Sequence, residues 1–245
     1  MEGISAPAFQ EEASAQVSFY EWQLAHGICV GIEVPAEIGP DCLDKLLSVL
    51  HPTERHAVET FPEWKKSSWI AGRLAAHEAL RRLGFNDNYA VLNDSRGAPL
   101  PPSGYTLSIS HKKRGPVTLA VALADRSSAI SLGMDIEALW PMRMNIAHLV
   151  CTEREILASM GLSQSRRWRD VLLRFSMKEA VYKAVDPFVR RTLDFSELSL
   201  DLYEDGRADA TWTVLNPLPN LFLDVRWMLW NDWVLASART EKAPE

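Results

Sequence analysis

The sequence predicts an α+β fold in two lobes, each a small, mainly antiparallel sheet with a helix packed on it. Three observations predict it. Strand-like and helix-like patterns follow one another as strand, helix, strand in each half. A short polar stretch, Asp125-Arg126-Ser127-Ser128, lies between two strand patterns near the middle and marks a seam. The chain has 245 residues, 47% hydrophobic and 24% charged, which is ordinary globular composition and enough to bury a large core, as one domain or two small ones. The seam divides the chain into an N-terminal lobe, 1–125, and a C-terminal lobe, 126–245.

Residues 1 to about 16 read as a loose leader. The run Tyr20–Val34 is strand-like, and Thr53–Thr60 and Trp69–Leu83 read as helices. Gly84 is a natural stop for the second of these, because glycine takes the left-handed conformation after a helix at no steric cost. Asn93 to Gly104, rich in glycine and proline, is a loop. Strands follow at Tyr105–Ser110 and Val117–Ala124. Beyond the seam come a strand over 129–137, helices near 152–160 and 168–185, and strands at Leu198–Tyr203, Ala210–Val214, Leu221–Trp230 and Asp232–Ser237. Residues after Thr240 are expected to fray.

Two acidic motifs carry the chemistry. In Gly133-Met134-Asp135-Ile136-Glu137 the apolar residues Leu132, Met134 and Ile136 alternate with Gly133, Asp135 and Glu137. On a pleated strand both carboxylates then point to one side and the apolar set to the other. Two adjacent carboxylates repel unless a cation or a proton lies between them, and a hard, oxygen-seeking cation such as Mg2+ suits such a pair. The second motif is Phe175-Ser176-Met177-Lys178-Glu179-Ala180-Val181-Tyr182-Lys183. At 3.6 residues per turn Trp168, Val171, Leu172, Phe175, Glu179 and Tyr182 form one stripe, with Glu179 amid apolar neighbours. Leu173 and Met177 lie opposite, so the helix reads as covered on both faces. Lys183 stands one turn beyond Glu179; taken alone, such a pair is ordinarily a solvated contact of a few tenths of a kcal/mol.

Taken together and in this order, the two motifs resemble those of the 4'-phosphopantetheinyl transferases, in their two-lobed, surfactin- and enterobactin-type branch. Three upstream blocks add to the likeness: Ala71-Gly72-Arg73-Leu74-Ala75-Ala76, the turn Arg96-Gly97-Ala98-Pro99, and the strand end Ser108-Ile109-Ser110-His111. The five blocks span about residues 50 to 190. Two positions depart from the family pattern. Met134 replaces Ile or Val, a volume-tolerant change, and Ala98 replaces the common Lys of the G-K-P turn, where Arg96 is the neighbouring cation.

The resemblance implies two pseudo-related lobes with the active site in the cleft between them. It implies transfer of the 4'-phosphopantetheine arm of coenzyme A to a serine of an apo acyl or peptidyl carrier protein, with release of 3',5'-adenosine bisphosphate. Such chemistry needs charge neutralisation on a diphosphate, a proton acceptor for the serine and in-line positioning. Asp135, Glu137 and Glu179 are the implied Mg2+ ligands, Glu179 also the base, and Lys183 the cation that offsets phosphate charge. Lys65, Arg73, Arg96, Ser110, His111 and Lys178 are the implied coenzyme A contacts. His77 reads as a helix-surface residue, and the stretch His111 to Arg114 as a strand end leading into a charged loop.

Composition narrows the field. A net charge of −6 argues against nucleic acid as a general partner. No apolar run approaches the roughly 20 residues of a membrane span, and the acidic N-terminus does not read as a secretory signal. Cys29, Cys42 and Cys151 are odd in number and widely spaced, which fits packed, reduced thiols in a cytoplasm. Two lobes in one chain make a monomer sufficient. Alternative functions that use similar parts are a Mg2+-dependent nucleotide pyrophosphohydrolase and a non-catalytic binder of carrier domains.

Overall fold

A computed structural model describes residues 17–142, 144–213 and 220–242. The chain divides into two compact units, Met1–Arg126 and Ser127–Glu245. Each holds one antiparallel sheet with a long helix against it, the α+β architecture expected.

In the first unit, strands β1 (Ser18–Leu24), β2 (Gly27–Pro35), β3 (Thr106–Arg114) and β4 (Val117–Asp125) form a sheet in the order β1-β2-β4-β3. The run read as one strand over Tyr20–Val34 is therefore a hairpin, Leu24 pairing with Gly27 across a two-residue turn. Its apolar character continues on both sides of that turn, which hides the break. Helices α1 (Pro40–Ser48), α2 (Pro52–Glu59) and α3 (Glu63–Arg82) follow. Only α1 lacks a counterpart in the sequence reading. Helix α3 starts six residues earlier than expected, after Pro62, and gives way at Leu83 to Gly84 with φ +83°. Its small residues Ala71, Ala75, Ala76 and Ala79 are fully buried against β2, β3 and β4, where Ala120, Ala122 and Ala124 complete the core.

In the second unit β5 (Ile130–Ala138), β6 (Leu198–Leu202), β7 (Arg207–Trp212), β8 (Leu221–Trp230) and β9 (Trp233–Lys242) form a sheet in the order β5-β9-β8-β7-β6. Glu241 and Lys242 pair within the sheet rather than fray. Helices α4 (Ala147–Val150) and α5 (Glu153–Ser159) precede α6 (Gln164–Val189), which packs on β5, β9 and β8. The predicted leader and the predicted strand end at Val214 lie outside the described residues. Cys29, Cys42 and Cys151 are buried free thiols. Among the described residues no helix is long and apolar enough to cross a membrane.

Candidate active site

The pairing of β5 with β9 fixes which face the alternation presents to the helix. Gly133, Asp135 and Glu137 pair with Ala238, Ala236 and Val234 of β9, three core residues beneath α6. The carboxylates therefore lie on the helix-covered face of the sheet. Leu132, Met134 and Ile136 point the other way and are buried as well. Asp135 is 5% exposed and Glu137 9%.

Helix α6 runs antiparallel to β5. Trp168 Nε1 donates to Leu139 O at 2.6 Å near the helix start, and Ser176 Oγ donates to Asp135 Oδ2 at 2.9 Å midway. Two turns later, Lys183 Nζ donates to Asp135 Oδ1 and to Met134 O, both at 2.8 Å. The helix can lie this close because position 133 is glycine. A Cβ there would stand 1.7 Å from Ala180 O, inside the helix backbone. The residues that face β5 are thus Ser176, Ala180, Lys183 and Ala184, and Glu179 sits at their edge, half-buried.

Burial raises the Glu179 carboxyl above its usual range, the charge of Asp135 raises it further, and the Lys183 ammonium opposes both. Lys183 thus makes its ion pair with Asp135 on the strand rather than with Glu179 on its own helix. Glu137 lies a pleat further toward the Trp168 end, while Glu179 lies beyond Ser176 toward Lys183. Two residues of strand span almost 7 Å, so the carboxylates are spread along the contact. Among the described residues no three His, Cys, Asp or Glu side chains gather as a ready-made metal cage.

Lys178 does not belong to this surface. It is fully buried, and its ammonium donates to Glu155 Oε2 at 2.8 Å, Val150 O at 2.8 Å and Phe195 O at 2.9 Å. Three donors are spent on three acceptors, so none is left for a phosphate. The expected coenzyme A contact at Lys178 is corrected accordingly: this lysine is a structural brace. Glu155 also accepts from Arg174 Nη1 at 3.0 Å and Leu200 N at 2.8 Å. Burial acts to raise its carboxyl, but the Lys178 hydrogen bond and charge outweigh that and hold it below the usual range.

In the first unit Phe61, Lys65, Trp69 and Arg73 form a ladder at four-residue spacing. Lys65 Nζ lies 4.3 Å from the Phe61 ring centre and Arg73 Cζ 4.3 Å from that of Trp69. This repeat of aromatic and cation is visible in the sequence as alternating residues four apart. Arg73 is 4% exposed. Its Nη2 donates to the neutral Asn93 Oδ1, and its buried Nε–H has no acceptor among the described residues. Burial pulls its guanidinium down to about 10, against the opposing charge of Glu54.

Strand β3 continues through His111 to Arg114, so the expected charged loop is sheet. His111 is exposed and shares the helix-facing side with Ile109, whose Cγ2 lies 3.0 Å from where a Gly72 Cβ would be. Ser110 is buried and its side chain points to the opposite face from His111, so the two do not converge through their side chains. Arg96 is exposed on a tight turn in which Asp94 Oδ1 accepts from Arg96 N at 2.8 Å and Ala98 N at 2.9 Å. His77, read as a surface residue, is bound through Nε2 to the fully buried Glu54, 2.9 Å from each carboxylate oxygen. That long-range pairing leaves no trace in local spacing.

Comparison with known proteins follows the same division. Residues 53–124 match the 4'-phosphopantetheinyl transferase N-terminal domain, and residues 131–237 match the 4'-phosphopantetheinyl transferase superfamily. The chain belongs to the 4'-phosphopantetheinyl transferase superfamily. The superfamily match spans Asp135, Glu137, Glu179 and Lys183, and the N-terminal match spans Lys65, Arg73, Arg96, Ser110 and His111. Among relatives, the chain is 34% identical over 171 residues to the 4'-phosphopantetheinyl transferase Svp of Streptomyces mobaraensis, covering 68% of this chain and 66% of that protein. It is 29% identical over 208 residues to the 4'-phosphopantetheinyl transferase Npt of Nocardia iowensis, covering 76% of this chain and 87% of that one. A solved holo-(acyl-carrier-protein) synthase from Bacillus anthracis, in complex with coenzyme A, is 21% identical at a TM-score of 0.39; the match covers 46% of this chain and 96% of that one.

Proposed function

We propose that this member of the superfamily transfers the 4'-phosphopantetheine arm of coenzyme A to a serine hydroxyl of an apo acyl or peptidyl carrier protein. The serine oxygen forms a bond to the phosphorus that bears pantetheine. The bond from that phosphorus to the bridging diphosphate oxygen breaks, and 3',5'-adenosine bisphosphate leaves with the electron pair. The observation that carries the reading is the assembly on β5 and α6: Asp135 held at one oxygen by Ser176 and at the other by Lys183, beside a Glu179 whose carboxyl is raised.

A carboxyl raised by partial burial is a stronger proton acceptor than an exposed one, so Glu179 takes the serine proton. Lys183 offsets charge on the phosphoryl oxygens. Lys65, Arg73, Arg96 and His111 take the phosphates of coenzyme A. Arg73 is the best founded of these, since its buried guanidinium is held by the neutral Asn93 amide and keeps its charge.

The donor chemistry fits Mg2+: the acidic set offers oxygen ligands and no thiol or imidazole, and Asp135 and Glu179 repel in a way that a cation relieves. Asp135, Glu137 and Glu179 would hold it, and when bound it would neutralise diphosphate charge. We place the enzyme in the cytoplasm.

The test is to mix the protein with coenzyme A, Mg2+ and an apo carrier domain and weigh the carrier. A gain of one phosphopantetheine unit is expected. Hydrolysed coenzyme A with an unchanged carrier would indicate a pyrophosphohydrolase, and a complex without chemistry a carrier binder; either result overturns the proposal.

A further inference from the structure

Arg73 is an unusual buried arginine. Its charge is countered at contact distance by no carboxylate among its hydrogen-bond partners; the group it touches is the neutral amide of Asn93, twenty positions along the chain. Asn93 stands where β-like pairing closes the turn that carries Arg96, through its bridge to Pro99. A single buried carboxylate ties both ends of this contact together. Glu54, fully buried on α2, accepts from Val91 N at 2.8 Å, two residues before Asn93. It also binds His77 Nε2, one helical turn after Arg73. Through its other oxygen it accepts from His51 N at 3.1 Å, at the start of its own helix. The backbone leading to Asn93 and the helix bearing Arg73 are therefore registered on one anchor.

We infer that Asn93 is a positioning residue for coenzyme A binding: its side-chain oxygen fixes the guanidinium plane of Arg73 and, being neutral, leaves the positive charge of that guanidinium for a phosphate group. A neutral amide does this where a carboxylate would not. It orients the fork through one N–H, while the positive charge stays uncancelled for the ligand. Trp69 beneath the guanidinium fills the same purpose from the flat side, packing the cation without neutralising it. Glu54 keeps a charge near enough to moderate the cost of burying the arginine, but spends its oxygens on Val91, His77 and His51. The inference rests on the reading of Arg73 as a coenzyme A contact.

The test compares Asn93→Ala, Asn93→Asp and Arg73→Ala, singly and in the Asn93→Ala/Arg73→Ala double variant, by KM for coenzyme A, kcat and calorimetric Kd. Asn93→Ala should raise KM and Kd about tenfold, the scale of one hydrogen bond to a charged group, with kcat within about twofold. In the Arg73→Ala background the same change should have no further effect. Asn93→Asp retains an acceptor and adds a charge that pairs with Arg73, so it should keep or improve thermal stability and weaken coenzyme A at least as much as Asn93→Ala. An Asn93→Asp variant that binds coenzyme A as well as wild type overturns the inference, as does an equal loss from Asn93→Ala in both backgrounds. If Arg73→Ala alone binds coenzyme A normally, the phosphate reading of Arg73 falls and the inference with it. If wild type transfers no phosphopantetheine at all, the functional proposal itself fails, and the mass of the carrier reveals that separately.

Discussion

Lys183 and Asp135 meet across the contact between α6 and β5, Nζ to Oδ1 at 2.8 Å, with the lysine a third exposed and the aspartate almost wholly buried. The exposed partner can turn to a phosphate, while the buried one is held in place by Ser176. The pair couples the strand motif to the helix motif, and substitutions on either side test the coupling.

Asp135→Ala should abolish transfer while the protein still folds. The truncation strands the buried Ser176 hydroxyl, a cost of about 1–3 kcal/mol, whereas Lys183 keeps Met134 O and reaches water. Circular dichroism should remain native and turnover should vanish. Near wild-type turnover at ordinary Mg2+ would remove Asp135 from the machinery.

Glu179→Gln should cost on the order of 10²–10⁴ in single-turnover rate, as expected for a lost general base. The folded-state pKa of Glu179 is raised, by burial first and Asp135 second. The stability this group contributes is therefore present below its unfolded value and lost as pH rises through the raised value. At neutral pH the Gln variant without ligands should melt no lower than wild type, and the difference should shift in favour of wild type as pH falls. The limb of the kcat–pH profile that reports protonation of Glu179 should disappear in the variant. An unimpaired single-turnover rate would assign the base elsewhere.

Lys178→Met should damage stability and leave coenzyme A affinity alone. Removing one partner of a buried pair costs about 3–5 kcal/mol. Glu155, held low by Lys178, contributes stability that is lost as pH falls through its depressed folded pKa. The acid transition of wild type should therefore differ from that of the variant. A calorimetric Kd for coenzyme A weakened tenfold or more in folded Lys178→Met would restore this lysine to the binding site.

Arg96→Ala and His111→Ala should raise KM for coenzyme A more than they lower kcat, since uniform binding appears in KM. Dephospho-coenzyme A should reproduce part of the defect for whichever residue meets the 3'-phosphate. Normal calorimetric binding in both variants would leave the β3 end and the turn as plain surface.

The parts of the molecule that could be read from sequence are those whose signal is local. Gly133 to Glu137 alternates, and β5 is a strand; Trp168 to Val185 lacks glycine and proline, and α6 is a helix, although it runs on past Pro187. What was not legible depends on distant partners. Lys178, next to Glu179 in the motif, reads as a coenzyme A contact, and only Glu155, Val150 and Phe195 reveal that it is interior. His77 looks superficial until Glu54 arrives from another helix. The sidedness of the carboxylates was open too, because alternation separates two faces without saying which one a helix will cover.

Position 133 gives the site its ruler. Because no side chain stands between the strand and Ala180, backbone thickness alone sets how far Ser176 and Lys183 are from Asp135. Gly133, Ala180 and Ala184 carry no reactive group, yet they calibrate the reacting groups in the manner of shims in an optical mount. A methyl group added at this seam would throw the instrument out of focus before any catalytic atom had been changed.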